Sequence, residues 1–267
     1  MTVNELFLSI FLISATAGCI GSLTGLGGGI MVIPILCFLK FDLHFAMGTG
    51  LAVGVTNSLV GTALLKRDNL TYLKLGMFLE TGIAIGAILG ALAVAHLSVK
   101  FLTILFGFVL LATTFSSFFS NKKSDMKKFD AFDKPMPDLN QLLYTKVRLA
   151  ASWCFMFIAG SISGLLGIGS GVLKVLAMDM ILGLPYKVST STSTFMVGIT
   201  AATTLGVYMS HGYIKLPLVV PAILGTALGG YFGALWLVKG KTGPLRILFN
   251  LVILGLSLEM LYKGLSL

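Results

Sequence analysis

The chain has 267 residues, of which 56% are hydrophobic and only 11% charged, against about 25% charged in ordinary soluble domains. That balance excludes a soluble globular module and points to an integral membrane protein. The formal net charge of +9 would suit nucleic acid, but the basic residues fall between apolar stretches rather than on one polar face. Membrane topology accounts for them, and no nucleic-acid partner is expected.

The first apolar stretch, 6–39, opens without a basic leader or an Ala-x-Ala site and reads as a retained segment rather than a cleaved signal peptide. As one straight helix its 34 residues would reach about 51 Å, against a hydrocarbon core of roughly 30 Å. Within it stands Gly25-Leu26-Gly27-Gly28-Gly29, with Pro34 five residues on. Each interior glycine costs a helix about 1 kcal/mol, so the pattern predicts a break there and a new helix over 28–39. Broken backbone at membrane depth is tolerated where it is buried in protein or lines a wet cavity. The N-terminal end of the new helix favours an anion, which makes Gly27, Gly28 and Gly29 candidate binding residues. Close helix packing by small residues is the competing explanation for the same glycines.

Further stretches long enough to cross a bilayer follow at 45–65, 101–119, 149–173, 188–210 and 216–238, with 75–95 interrupted by one charge, Glu80, and 247–262 closing the chain. The chain is internally duplicated. Residues 17–29 align without a gap on 159–171 at an offset of 142, and His44-Phe45-Ala46-Met47-Gly48-Thr49-Gly50 then falls on 186–192. One inserted residue later, Gly82, Gly86 and Gly90 fall on Gly225, Gly229 and Gly233, small-xxx-small stripes suited to packing between helices or between subunits. The joint, 121–146, mixes lysines and aspartates with two prolines and reads as a solvated linker, partly disordered. The expected organisation is therefore a first transmembrane repeat at 1–120, a basic cytoplasmic linker at 121–146 and a second repeat at 147–267.

If the chain turns back at each glycine cluster, the repeats are inverted; if it continues as a kinked span, they are parallel. With the linker inside, the hairpin arrangement puts 14 Lys and Arg inside and 4 outside, leaving Lys174 within the membrane, whereas the kinked span gives 12 against 6. The positive-inside rule favours the hairpin, with both termini outside. The expected fold is an all-α integral membrane protein of two inverted-topology repeats, each a glycine-broken helical hairpin plus three transmembrane helices. Secondary transporters are commonly built this way.

The second glycine cluster, Gly167 to Gly171, includes Gly169, Ser170 and Gly171 and is followed three residues later by Lys174. An intramembrane lysine needs a partner, a wet cavity or a ligand, so Lys174 is the leading candidate to contact an anion. The nearest acid along the chain, Asp179, is about 140° round a helix and does not face it. The six hydroxyl residues at 189–194 can cap a helix or donate to an oxyanion; Ser191 and Thr192 are the candidates chosen from them. Thr49 and Asn57 are the polar members of the matching helix in the first half. Glu80 is a candidate proton carrier, or a residue that simply bonds to its neighbours. Cys19, Cys37 and Cys154 lie in apolar runs without metal-ligand spacing and read as core residues. No cofactor or metal is expected.

On Gly25-Leu26-Gly27-Gly28-Gly29 with Pro34, its second copy at Gly167 to Gly171, and Ala46-Met47-Gly48-Thr49, the sequence resembles the sulfite exporter TauE/SafE family of membrane permeases. The resemblance covers essentially the whole chain. It implies carriage of small sulfur-containing anions such as sulfite, thiosulfate or organosulfonates across the cell membrane. Membrane lipid, a coupling ion (proton or sodium) and a homodimer are the other partners in view. The second copy departs from the first at Ser170, at Leu176 in place of Pro34, and at Lys174 in place of an apolar residue. An intramembrane enzyme is disfavoured, since no nucleophile stands with a base. A passive anion channel or an accessory subunit of a larger membrane complex remains the alternative.

Overall fold

The structure is a computed structural model. It describes residues 3–25, 27–67, 73–124, 146–169, 171–176, 178, 186–239 and 243–266. Most of the expected linker, together with Ser170 and Asp179, lies outside the described residues.

Among the described residues the chain is all-helical: α1 (Val3–Thr24), α2 (Gly29–Phe38), α3 (Leu43–Arg67), α4 (Leu73–Val94), α5 (Val99–Ser124), α6 (Lys146–Leu166), α7 (Gly171–Leu176), α8 (Tyr186–Ser210), α9 (Leu216–Lys239) and α10 (Gly243–Ser266). Four helical stretches are long and apolar enough to cross a bilayer: Asn4–Thr24, Leu43–Leu64, Leu73–Val94 and Leu216–Leu237. The apolar stretch at 149–173 is divided between α6 and α7, and α8 owes its lower hydropathy to its hydroxyls. Large apolar side chains such as Leu12, Phe78, Phe108, Phe232 and Leu258 remain exposed on the outer surface, while Glu80, Lys174 and many Ser and Thr are buried. That distribution suits a molecule whose surroundings are hydrocarbon. Cys154 is also exposed, which corrects the expectation that all three cysteines pack in the core: its helix position turns outward.

The duplication reappears in the packing. In α9, a side chain on Gly225, Gly229 or Gly233 would collide with the carbonyl oxygens of Phe11, Ala15 and Cys19 of α1. In α4, Gly82, Gly86 and Gly90 stand in the same way against Trp153, Phe157 and Ser161 of α6. These partners differ by the same 142 residues that align the repeats. The small-residue stripes are thus seams within the chain, each joining a helix of one half to a helix of the other. Because the contacts ascend together, α1 runs parallel to α9 and α4 parallel to α6.

The central pair runs the other way. Ser58 and Gly61 of α3 lie against Gly198 and Thr194 of α8 respectively, and Gly54 lies against Ala201, so these helices are antiparallel. Gly107 and Ile104 of α5 meet Leu261 and Gly264 of α10 in the same antiparallel sense. The first glycine cluster returns on itself: Gly28 lies beside Gly21, and a side chain on it would meet the Ala17 carbonyl at 3.0 Å. A straight helix would separate residues 17 and 28 by about 16 Å. At its far end α2 is held by Lys263 of α10, whose Nζ donates to the Cys37 carbonyl at 2.6 Å.

Candidate functional site

Both breaks are made by the same backbone device. Gly25 and Gly27 have φ of 72° and 67°, and Gly167 and Gly169 have φ of 67° and 71°. This left-handed region is costly for any residue with a Cβ, by roughly 1–2 kcal/mol, and it ends α1 and α6 at equivalent positions. The Gly25 N–H donates to Gly21 at 2.9 Å, and the Gly167 N–H donates to Ser163 at 2.8 Å.

The breaks meet at the centre of the molecule, against α8. A Cβ on Gly27 would lie 2.6 Å from Val197 Cγ1, and one on Gly169 would lie 3.0 Å from the same atom. One turn earlier, Ser193 Oγ lies 2.9 Å from the Gly25 carbonyl and 3.0 Å from the Gly171 carbonyl, so a single hydroxyl stands between the two breaks and can donate to either. Each break also packs on the other half: Gly25 against Thr190, Gly167 against Met47. Ser189, Ser193, Val197, Thr200 and Thr204 follow one another at helical spacing and form one face of α8. That spacing was the signal by which Ser193 and Thr200 could have been selected from the hydroxyl run and its continuation.

Lys174, on the short α7 after the second break, is fully buried. Its ammonium lies 3.3 Å from Glu80 Oε2 of α4 and donates to Thr200 Oγ1 at 2.5 Å. The Thr200 hydroxyl in turn donates to Glu80 Oε1. Glu80 and Lys174, singled out separately in the sequence, are therefore one ion pair bridged by a threonine. Glu80 Oε2 accepts no hydrogen bond among the described residues, and its compensation comes from the ammonium.

The remaining candidates divide. Gly27, Gly28, Gly29, Gly169 and Gly171 belong to the two breaks, with Gly29 close against the Gly50 carbonyl of α3. Thr49 is buried and donates to the Phe45 carbonyl of its own helix at 2.8 Å. Asn57 is buried in the first half, where its carboxamide, oriented to satisfy both atoms, donates to Ser22 Oγ and the Gly18 carbonyl, each at 2.9 Å. Asn57 thus ties α3 to α1, whereas the Thr49 hydroxyl is spent within α3. Ser191 and Thr192 are buried in α8, with the Thr192 methyl facing Gly76 of α4. The buried hydroxyls of Ser189, Thr190 and Ser163 find no hydrogen-bond partner among the described residues. Ser163 lines a small cavity between the halves with Ile30, Thr113, Ile168, Gly171 and Leu173.

An all-helical, lipid-facing chain with two interrupted helices joined in its interior is organised as a multi-pass membrane transporter, with polar groups gathered at depth and apolar ones outside. The chain belongs to the sulfite exporter TauE/SafE family, whose sequence profile matches residues 10–260. It is 26% identical over 269 residues to the probable membrane transporter protein YunE of Bacillus subtilis, spanning 97% of this chain and 98% of the relative. It is 28% identical over 232 residues to the probable membrane transporter protein YdhB of the same organism, spanning 86% and 88%. The probable membrane transporter protein MJ0441 of Methanocaldococcus jannaschii is 27% identical over 246 residues, spanning 82% and 84%. No solved structure matches the chain. The protein is a transporter, not an enzyme.

Proposed function

We propose that the protein carries small sulfur-containing anions such as sulfite, thiosulfate or organosulfonates, and that it binds them at the bilayer midplane where the two glycine breaks converge. The observation that carries this reading is the single α8 face, Ser193 to Val197, against which both breaks rest. The N-terminal N–H groups of α2 after the first break, the Lys174 ammonium and the buried Ser189 and Thr190 hydroxyls, which find no partner among the described residues, supply a donor set for an anion. The family's name supplies the substrate class.

Two inverted copies, 1–120 and 147–267, joined by a cytoplasmic linker at 121–146, are the arrangement favoured by the running directions. If α4 and α6 are parallel while α3 and α8 are antiparallel, a chain alternating in direction from helix to helix must turn back between α6 and α8. Rocking around the joined breaks then opens the midplane to either side in turn, as alternating access requires.

Flux of radiolabelled sulfite, thiosulfate and methanesulfonate into vesicles containing the pure protein tests this. Saturable uptake above protein-free vesicles is expected, and Lys174→Ala abolishes anion binding in a thermal-shift titration. Absence of flux for all three anions overturns the reading. Flux without saturation makes the protein a passive anion channel, and subunits that copurify in fixed ratio make it an accessory subunit.

A further inference from the structure

We propose that Lys174, Thr200 and Glu80 couple anion transport to protons, by an exchange of partners in which one proton enters with each monovalent anion. This rests on the transport reading above and deepens it by naming the coupling ion and the groups that carry it.

The argument begins with burial. Lys174 and Glu80 have side chains only 0% and 4% exposed, and an uncompensated charge at that depth is expensive. The resting pair is neutral, one ammonium with one carboxylate. An anion that takes the Lys174 ammonium must displace Glu80, and the abandoned carboxylate would add a second negative charge to a dry site. If a proton binds Glu80 Oε2, which accepts no hydrogen bond among the described residues, the carboxylate becomes a carboxylic acid and releases the ammonium. The anion then pairs with Lys174, and the site is neutral again. On release the reverse occurs: the anion leaves, the carboxylic acid loses its proton, and the carboxylate returns to the ammonium. Each full step moves one proton and one anion in the same direction and no net charge.

Thr200 makes the exchange local. Its single hydroxyl accepts from Lys174 while donating to Glu80, and it can turn to the Met196 carbonyl 3.1 Å away when the acid no longer accepts. Thr200 stands three residues beyond Val197, so the pair lies one helical turn from the meeting point of the breaks. Among the described residues no other ionisable side chain acts on either member. Of the other titratable residues of α4, α6 and α8, Lys74 is exposed at the start of α4, Lys146 and Arg148 stand in the first turn of α6 with Cys154 exposed further along it, Tyr186 and Lys187 stand in the first turn of α8, and the buried Tyr208 donates to the Gly164 carbonyl. The first break is built without such a pair: the positions equivalent to Lys174, Thr200 and Glu80 are Val32, Ser58 and Ile223.

The test uses the full chain in sealed vesicles, with methanesulfonate, whose charge does not change with pH, and sulfite as probes. Coupling of one proton per anion predicts accumulation of about tenfold per unit of pH gradient. It predicts about one proton entering per methanesulfonate, read by an internal pH dye, and no response to an imposed potential. An electrogenic carrier moving one charge would instead respond about fifty-fold to 100 mV. Glu80→Gln abolishes the gradient-driven accumulation. The wild-type proton-to-anion ratio decides the matter even if that variant fails to fold. Saturable flux that ignores the pH gradient, or gradient-driven accumulation by Glu80→Gln, overturns the coupling and leaves the transport reading standing. Lack of flux for every anion overturns the transport reading itself.

Discussion

Position by position, the second break and its surroundings carry Lys174, Thr200 and Glu80 where the first carries Val32, Ser58 and Ile223, at the offsets of 142 and 143 that align the copies. The backbone around them is the same: two left-handed glycines, the same N–H capping bond, the same carbonyl seam. Ser58 even keeps a hydroxyl at the position of Thr200, but spends it on the Phe195 carbonyl at 3.3 Å. The difference separates what the fold requires from what has been added to it. A buried ion pair stabilises a structure little, because desolvation offsets most of its attraction. Its presence at one break alone therefore argues for work done by the charges rather than for scaffolding.

The sharpest way to break this contrast is to remove one charge. Glu80→Ala or Lys174→Ala leaves a lone ion buried and lowers stability by about 3–5 kcal/mol, read by thermal unfolding in detergent. The triple variant Lys174→Val, Thr200→Ser, Glu80→Ile copies the chemistry of the first break into the second. Its stability equals or exceeds that of the unmodified chain by up to about 4 kcal/mol, while anion-dependent stabilisation disappears. A triple variant as unstable as the single ones would mean that the second break needs its charges in order to fold.

The seams should respond alike in the two copies. Gly86→Ala and Gly229→Ala each drive a methyl into a facing carbonyl, and each costs about 1–3 kcal/mol. Gly25→Ala and Gly167→Ala, strained by their positive φ, each cost about 1–2 kcal/mol. Unequal losses within either pair would show that the equivalence of the copies stops at the backbone. The smallest effect belongs to Ser193→Ala, which removes one hydroxyl shared by both breaks and costs about 0.5–1.5 kcal/mol in the same assay.

Much of this was legible in the sequence because it is written in glycine. The duplication, the two breaks and the stripes at Gly82, Gly86, Gly90 and at Gly225, Gly229, Gly233 depend on residues whose conformational role is local. Lys174 and Glu80 were each conspicuous as a charge within an apolar stretch. Their pairing was not legible, because it joins α7 to α4 across 94 residues, and spacing along a chain says nothing of contacts between helices. Which of the six hydroxyls meets the two breaks was not legible for a related reason. In an unbroken polar run every face of the helix has a candidate, and only the neighbours at Gly25 and Gly171 single out Ser193.

The glycine seams also decide what can come apart. Because α1 is bound along its length to α9, and α4 to α6, the polypeptide is folded like two clasped hands, with the fingers of each half closed around the other. Cutting the wrist between them should therefore release nothing: fragments 1–124 and 146–267 produced as separate chains would have to find one another, and would travel as one particle through a sizing column.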